Sequence, residues 1–167
     1  MRRGYTYAEF CALISALRTA IPDIAITTDL LVGFCDETEE EFQTILRAQE
    51  ELRFDAAFMF VYSQREGTTA ARKMPDNVPQ DVKQRRLGEI IALQQRITGE
   101  IYQEQVGRPQ RVLIEGPSKR NGNEFFGRTD TFRAVVVTAG PGVEPGGIVD
   151  VVIDRATNAT LFGHVIC

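Results

Sequence analysis

The hydrophobic period of this chain changes once, near Gln110, and that change limits the fold more than any other feature. Before it, apolar residues recur at helical spacing or stand in unbroken short runs. After it come short alternating runs separated by Gly, Pro and Asn. A period of 3.6 and a period of 2 cannot occupy one kind of element, so the chain divides into an α/β part and an all-β part.

Residues 6–20 read as a helix. Thr6 and Glu9 form a capping box, and Phe10, Leu13, Ile14, Leu17 and Ile21 make one apolar stripe that Pro22 closes. Ile24 to Phe34 contains a strand whose dense part is Leu30-Leu31-Val32. A second box, Thr38 with Glu41, opens a helix bearing Phe42, Ile45, Leu46 and Leu52, and Ala56 to Tyr62 is again a continuous apolar strand. Strand, helix, strand with short joints is a βαβ unit with parallel pairing, and such unbroken runs mark strands buried on both faces. Residues 63–78 read as a loop. Pro79 fits the first turn of a long helix to about Val106, with Leu87, Ile90, Ile91, Ile97 and Ile101 as its buried stripe.

Beyond Gln110, five strands are predicted: 111–114, 124–129, 131–137, 148–153 and 160–166. Five short strands in so few residues suggest a small closed or nearly closed barrel. The α/β half, by contrast, offers only two parallel strands, which leave long apolar edges. Either another stretch of polypeptide pairs with the strand near Ile24 to Phe34, or the helices alone cover those edges.

Charge is uneven. Residues 1–104 hold 12 Lys/Arg against 17 Asp/Glu, while residues 105–167 hold 7 against 6. The overall −4 argues against wholesale coating of nucleic acid, yet the second segment clusters Lys119, Arg120, Arg128 and Arg133 on turns and strand edges. Cations there suit phosphate contact, and Phe126 or Phe132 could stack a base; the competing reading is a solvated barrel surface with Phe126 in the core. Arg85 and Arg86 on the long helix read as ordinary exposed charges. Glu37, Glu39, Glu40 and Glu41 stand at a helix start, where carboxylates stabilise any protein. His164 is the only histidine, with no partner indicated.

Cys11, Cys35 and Cys167 lie far apart, without C-x-x-C spacing, so neither a zinc ribbon nor a cluster loop is indicated. Cys11 and Cys35 read as buried small apolar groups. No run approaches the roughly 20 apolar residues of a bilayer span, and the expected compartment is the cytoplasm.

Several motifs together resemble a known family. They are Thr28-Asp29-Leu30-Leu31-Val32-Gly33-Phe34, Glu37-Thr38-Glu39-Glu40, Phe58-Met59-Phe60-Val61-Tyr62-Ser63 and Gly67-Thr68. Val78-Pro79, Val82-Lys83, Arg85-Arg86-Leu87, Glu115-Gly116-Pro117-Ser118-Lys119-Arg120 and Gly127-Arg128-Thr129 complete the set. In order and spacing they resemble the C-terminal part of the radical SAM methylthiotransferases, of the MiaB type that modifies isopentenylated adenosine in tRNA. The resemblance implies three pieces: residues 1–75 as the last units of a radical SAM partial TIM barrel, 76–104 as a connector helix, and 105–167 as a TRAM domain, an OB-like RNA-binding barrel.

It also implies S-adenosylmethionine and 4Fe–4S clusters as cofactors of the whole enzyme, with Thr28, Asp29 and Gly33 near the cofactor and Lys119, Arg120, Arg128 and Arg133 on tRNA. The competing reading is a tight turn at Gly33 before the Thr38 cap, with Thr28 and Asp29 as strand-register polar groups facing a helix cap. The cluster-binding C-x-x-x-C-x-x-C loop of that family has no counterpart in this sequence. Radical chemistry by this chain alone is therefore not expected. Met1 to Thr6 resembles an internal stretch of the family, which implies a truncation point or internal initiation. Partners implied are tRNA and, at the open strand edge, either the remaining portion of the enzyme or another copy. The alternatives are a stand-alone RNA-binding module and an inactive truncated product. This sequence departs from the family at Cys35-Asp36, often Pro-Gly, and at Phe132, commonly Asn.

Overall fold

The computed structural model describes residues 4–119 and 122–166. Contacts divide the chain into two compact units. One holds the chain up to Pro22 together with Ile26–Ile97; the other holds Asp23–Ala25 and the chain from Thr98 onward.

In the first unit the order is α1 (Tyr7–Ala20), β1 (Thr27–Val32), α2 (Glu39–Leu52), β2 (Ala56–Val61), α3 (Thr69–Lys73) and the start of α4 (Gln80–Gln103). Both capping boxes form as the sequence predicts: Thr6 with Glu9, and Thr38 with Glu41. β1 and β2 pair in parallel, from Thr27 beside Ala56 to Val32 beside Val61. Their covered face, with Leu30, Val32, Met59 and Val61, packs on Phe42, Ile45 and Leu46 of α2 and Leu87 and Ile90 of α4. Phe42 and Ile90 are fully buried, each contributing roughly 1.5–3 kcal/mol through loss of apolar surface.

Two polar side chains rivet this core. Gln49 donates from Nε2 to the Ile90 carbonyl and to Gln94 Oε1, both at 3.0 Å, and Gln94 Nε2 donates to the Phe54 carbonyl at 2.7 Å.

The strands are not buried on both faces. β2 alternates strictly, leaving Phe58 65% and Phe60 51% exposed. The helices supply one covering layer, so the second face of the two-stranded sheet stays bare, and among the described residues β1 has no other strand beside it. In α1 only part of the expected stripe is covered: Ile14 packs with Leu52 and Phe54, while Leu13 and Ile21 stay exposed. The predicted loop contains the short α3, whose start the Thr68 hydroxyl caps by accepting from the Ala71 N–H.

In the second unit β3 (Pro109–Pro117), β4 (Glu124–Thr129), β5 (Ala134–Thr138), β6 (Ile148–Ala156) and β7 (Leu161–Val165) close a barrel in the order β3-β4-β5-β7-β6. All pairings are antiparallel except β5 with β7. Alternation sends Val112, Ile114, Val135, Val137, Val151, Ile153 and Leu161 inward as its core. Gly163 is required where the barrel closes, because a Cβ there would lie 2.2 Å from the Val152 carbonyl oxygen. All five predicted strands exist; the third begins at Ala134 rather than Thr131, because residues 129–133 make a tight turn in which Phe132 N–H donates to the Thr129 carbonyl at 2.9 Å.

Candidate nucleic-acid interface

Strand alternation puts Glu124, Phe126 and Arg128 on the outer face of β4, while Phe125 packs against the barrel core. The register then lays one outward rung across three strands: Phe126 beside Val136, and Val136 beside Phe162. A β-bulge between Ile153 and Arg155 brings Arg155 opposite Phe162. Phe126, Val136 and Phe162, with Thr160, Glu124 and the Ser118 and Lys119 that follow β3, line a groove of about 440 Å3.

Cations flank both rings. The Arg155 guanidinium carbon lies 3.4 Å from the centre of Phe162. That of Arg128 lies 5.4 Å from Phe126 and 4.2 Å from Phe132. A second bulge, between Ile114 and Gly116, turns Glu115 toward Arg128, whose Nε donates to Glu115 Oε1 at 3.0 Å. Phe132 is 73% exposed and held at φ 65°.

Of the four cations picked from the sequence, Lys119 is exposed at the groove and Arg128 is half-buried beside it. Arg120 lies outside the described residues. Arg133 precedes β5 and is only 7% exposed; its Nη1 donates to Thr131 Oγ1 at 3.0 Å, inside the turn. The structure therefore joins Lys119 and Arg128 through Phe126 and sets Arg133 apart as a brace. Phe162 and Arg155 were not singled out. Alternation around Leu161 and Gly163 signals an outward Phe162, but the bulge hides Arg155 from any simple count. His164 does have a carboxylate partner: its Nδ1 is 2.9 Å from Asp154 Oδ2 on the same bulged stretch, exposed to solvent.

The three residues assigned to a cofactor do not share one surface. Thr28 is half-buried and alternates with Leu30 toward the helices, whereas Asp29 is exposed, opposite Phe58 on the bare face. Gly33 is buried at φ 73°, and the methylenes of Lys83 fill the space a Cβ there would need. Gly33 N–H donates to Glu37 Oε1 at 2.9 Å, and Arg86 Nη1 donates to the same oxygen at 2.7 Å. Arg86 is thus not an exposed charge. It is 3% exposed, because the α2 start folds its carboxylates over α4. Arg85 stays at the surface, where its hydrogen bond to Glu39 holds that carboxyl down at about 2 from its ordinary 4.5, with Gln43 assisting.

These residues do not fit an iron–sulfur cluster. Cys35 is buried, Cys11 sits on α1, and among the described residues no three His, Cys, Asp or Glu side chains gather to hold a metal.

Residues 103–166, the whole barrel with its lead-in, match the family model of the TRAM domain. The barrel is a TRAM-family domain. Over 98% of its length the chain is 48% identical to a tRNA-2-methylthio-N(6)-dimethylallyladenosine synthase of Prosthecochloris aestuarii. It is 49% identical over 98% of its length to the synthase of that name from Chlorobium phaeobacteroides strain BS1, and 46% identical over 99% to that of Porphyromonas gingivalis. The chain spans 37%, 36% and 36% of these three relatives, and what it matches is their C-terminal part. The TRAM match therefore falls on the unit that carries the aromatic and cationic groove.

Proposed function

We propose that this chain forms the C-terminal, tRNA-holding portion of a tRNA methylthiotransferase, whose complete form adds a methylthio group to isopentenyladenosine next to the anticodon. The observation that carries this reading is the match along 98% of the chain to synthases so named, together with a TRAM barrel bearing Lys119, Arg128 and Phe126 on one outer face. Guanidinium and ammonium groups neutralise phosphates, and aromatic rings stack bases, without needing a defined sequence.

On this reading residues 1–75 belong to the end of a radical SAM barrel, 76–104 connect, and 105–167 grip RNA. The parallel βαβ unit and the bare face around Asp29, Phe58 and Phe60 support the first assignment, since a face of that kind needs covering. The partner at the open β1 edge is the remaining portion of the enzyme or another copy. In the family S-adenosylmethionine and 4Fe–4S clusters supply the radical chemistry. Cluster ligation is outside what these residues can do.

A second reading, RNA binding by the chain alone, is favoured by the closed barrel with its own core. Anisotropy titrations of a labelled tRNA anticodon stem-loop over a salt series test the shared part. Lys119→Ala and Arg128→Ala are each expected to weaken binding and to flatten the salt slope by about 1. If both variants bind like the parent at every salt concentration, the RNA face is wrong. Anaerobic incubation with iron and sulfide is expected to give no stable cluster absorbance; a robust one overturns the assignment of catalysis to residues outside this chain.

A further inference from the structure

We infer that the groove between Phe126 and Phe162 seats a single unstacked RNA base carrying an exocyclic amino group, in preference to uracil, which has none. The inference rests on the RNA-binding reading above and adds which part of the RNA is held and how it is chosen.

The floor is apolar and narrow. Val136 separates two rings in one register line across β4, β5 and β7, so the rings stand two strand spacings apart, roughly 9–10 Å. The volume of about 440 Å3 lies within the roughly 300–1,000 Å3 of small-ligand pockets. A double helix cannot offer a flat apolar surface to such a slot; a base turned out of its stack can. Positive charge accompanies both rings, with Arg155 over Phe162 and Arg128 over Phe126, and Lys119 is on the wall. A flat apolar ligand flanked by negative charge on both sides is a nucleotide within a strand.

Selection comes from Glu124. It lines the same groove and shares the outer face of β4 with Phe126. A carboxylate only accepts hydrogen bonds. It therefore favours the exocyclic amino groups of adenine, cytosine and guanine over the exocyclic carbonyls of uracil.

Anisotropy of the full chain with labelled hexaadenylate, hexauridylate and an RNA duplex of equal length tests this. The parent should bind hexaadenylate more tightly than hexauridylate. Phe162→Leu, which keeps an apolar side chain, should weaken hexaadenylate about five- to a hundredfold, with the duplex changed less than about twofold. Val136→Gln, neutral and at an outward position away from the core, should do the same with both rings kept. Glu124→Gln should narrow the gap between the two oligonucleotides. A parent that binds RNA while the Phe162 and Val136 variants lose nothing, or lose single strand and duplex alike, overturns the base seat alone. A parent that binds no RNA overturns the RNA-binding reading and this one with it.

Discussion

The side chain of Lys83 crosses the backbone of Gly33 so closely that a Cβ on Gly33 would fall 2.4 Å from Lys83 Cγ. Lys83 reaches across to donate from Nζ to Asp76 Oδ1 and, at 3.3 Å, to the Tyr62 carbonyl. One contact thus ties the turn after β1 to the end of β2 and to α4.

Gly33→Ala should therefore be costly. The left-handed φ of 73° adds about 1–2 kcal/mol for a residue with a Cβ, and displacing a buried lysine adds to that. Urea unfolding should show a loss of at least about 2 kcal/mol. Combining it with Lys83→Ala should cost less than the two changes summed, because the collision is removed. Strict additivity would mean the two residues do not collide.

The Arg86–Glu37 pair is almost dry, with side chains 4% and 8% exposed. Arg86→Met keeps volume over the Phe42 ring but leaves the buried Glu37 carboxylate without its counter-charge, so a loss of about 3–5 kcal/mol is expected. Adding Glu37→Gln should restore more than half of it, since the neutral amide can still accept from Gly33. Guanidinium chloride midpoints read both changes; equal stability of Arg86→Met and parent would refute the pairing.

Acid should weaken the first unit through Glu39. Its folded carboxyl titrates near 2, below the ordinary 4.5, chiefly because Arg85 hydrogen-bonds the charged form. A lowered folded value stabilises above the unfolded value, and that stabilisation fades as pH falls from about 4.5 to about 2. Glu39→Gln should flatten the stability profile within that window. The pair is exposed, so about 1 M salt should shrink the effect; a profile indifferent to both changes would exclude Glu39 as its source.

Phe132→Asn should stabilise the barrel slightly. Phenylalanine at φ 65° carries about 1–2 kcal/mol of strain that asparagine largely avoids. The lost ring contact with Arg128 is worth only about 0.5–1 kcal/mol at an exposed site. Strain relief wins, by up to about 1 kcal/mol. A lower melting temperature for the variant would show that the ring contact is the stronger term.

Much of the fold was legible residue by residue. The capping boxes at Thr6 and Thr38 act within three residues, so no distant contact can hide them. The five barrel strands announced themselves because a half-buried strand must alternate. Lys119 at the groove and Arg128 over the Phe126 ring were legible for the same reason: turns and outward positions are local properties. Arg86 was misread because its burial depends on Glu37, 49 residues earlier. Arg155 was missed because a bulge shifts the count by one residue, and the bare face of β2 because an unbroken apolar run does not say how many layers will cover it.

Local chemistry and hydrophobic period, which act over a few residues, determined from sequence alone that helices start at the Thr6 and Thr38 caps and that a β-barrel follows an α/β unit. Only the tertiary structure decided that Phe126, Val136 and Phe162 share one rung and that Lys83 lies over Gly33. Those are facts of strand register and helix packing. They are set by contacts between residues tens of positions apart, whose free energies no single stretch of chain contains.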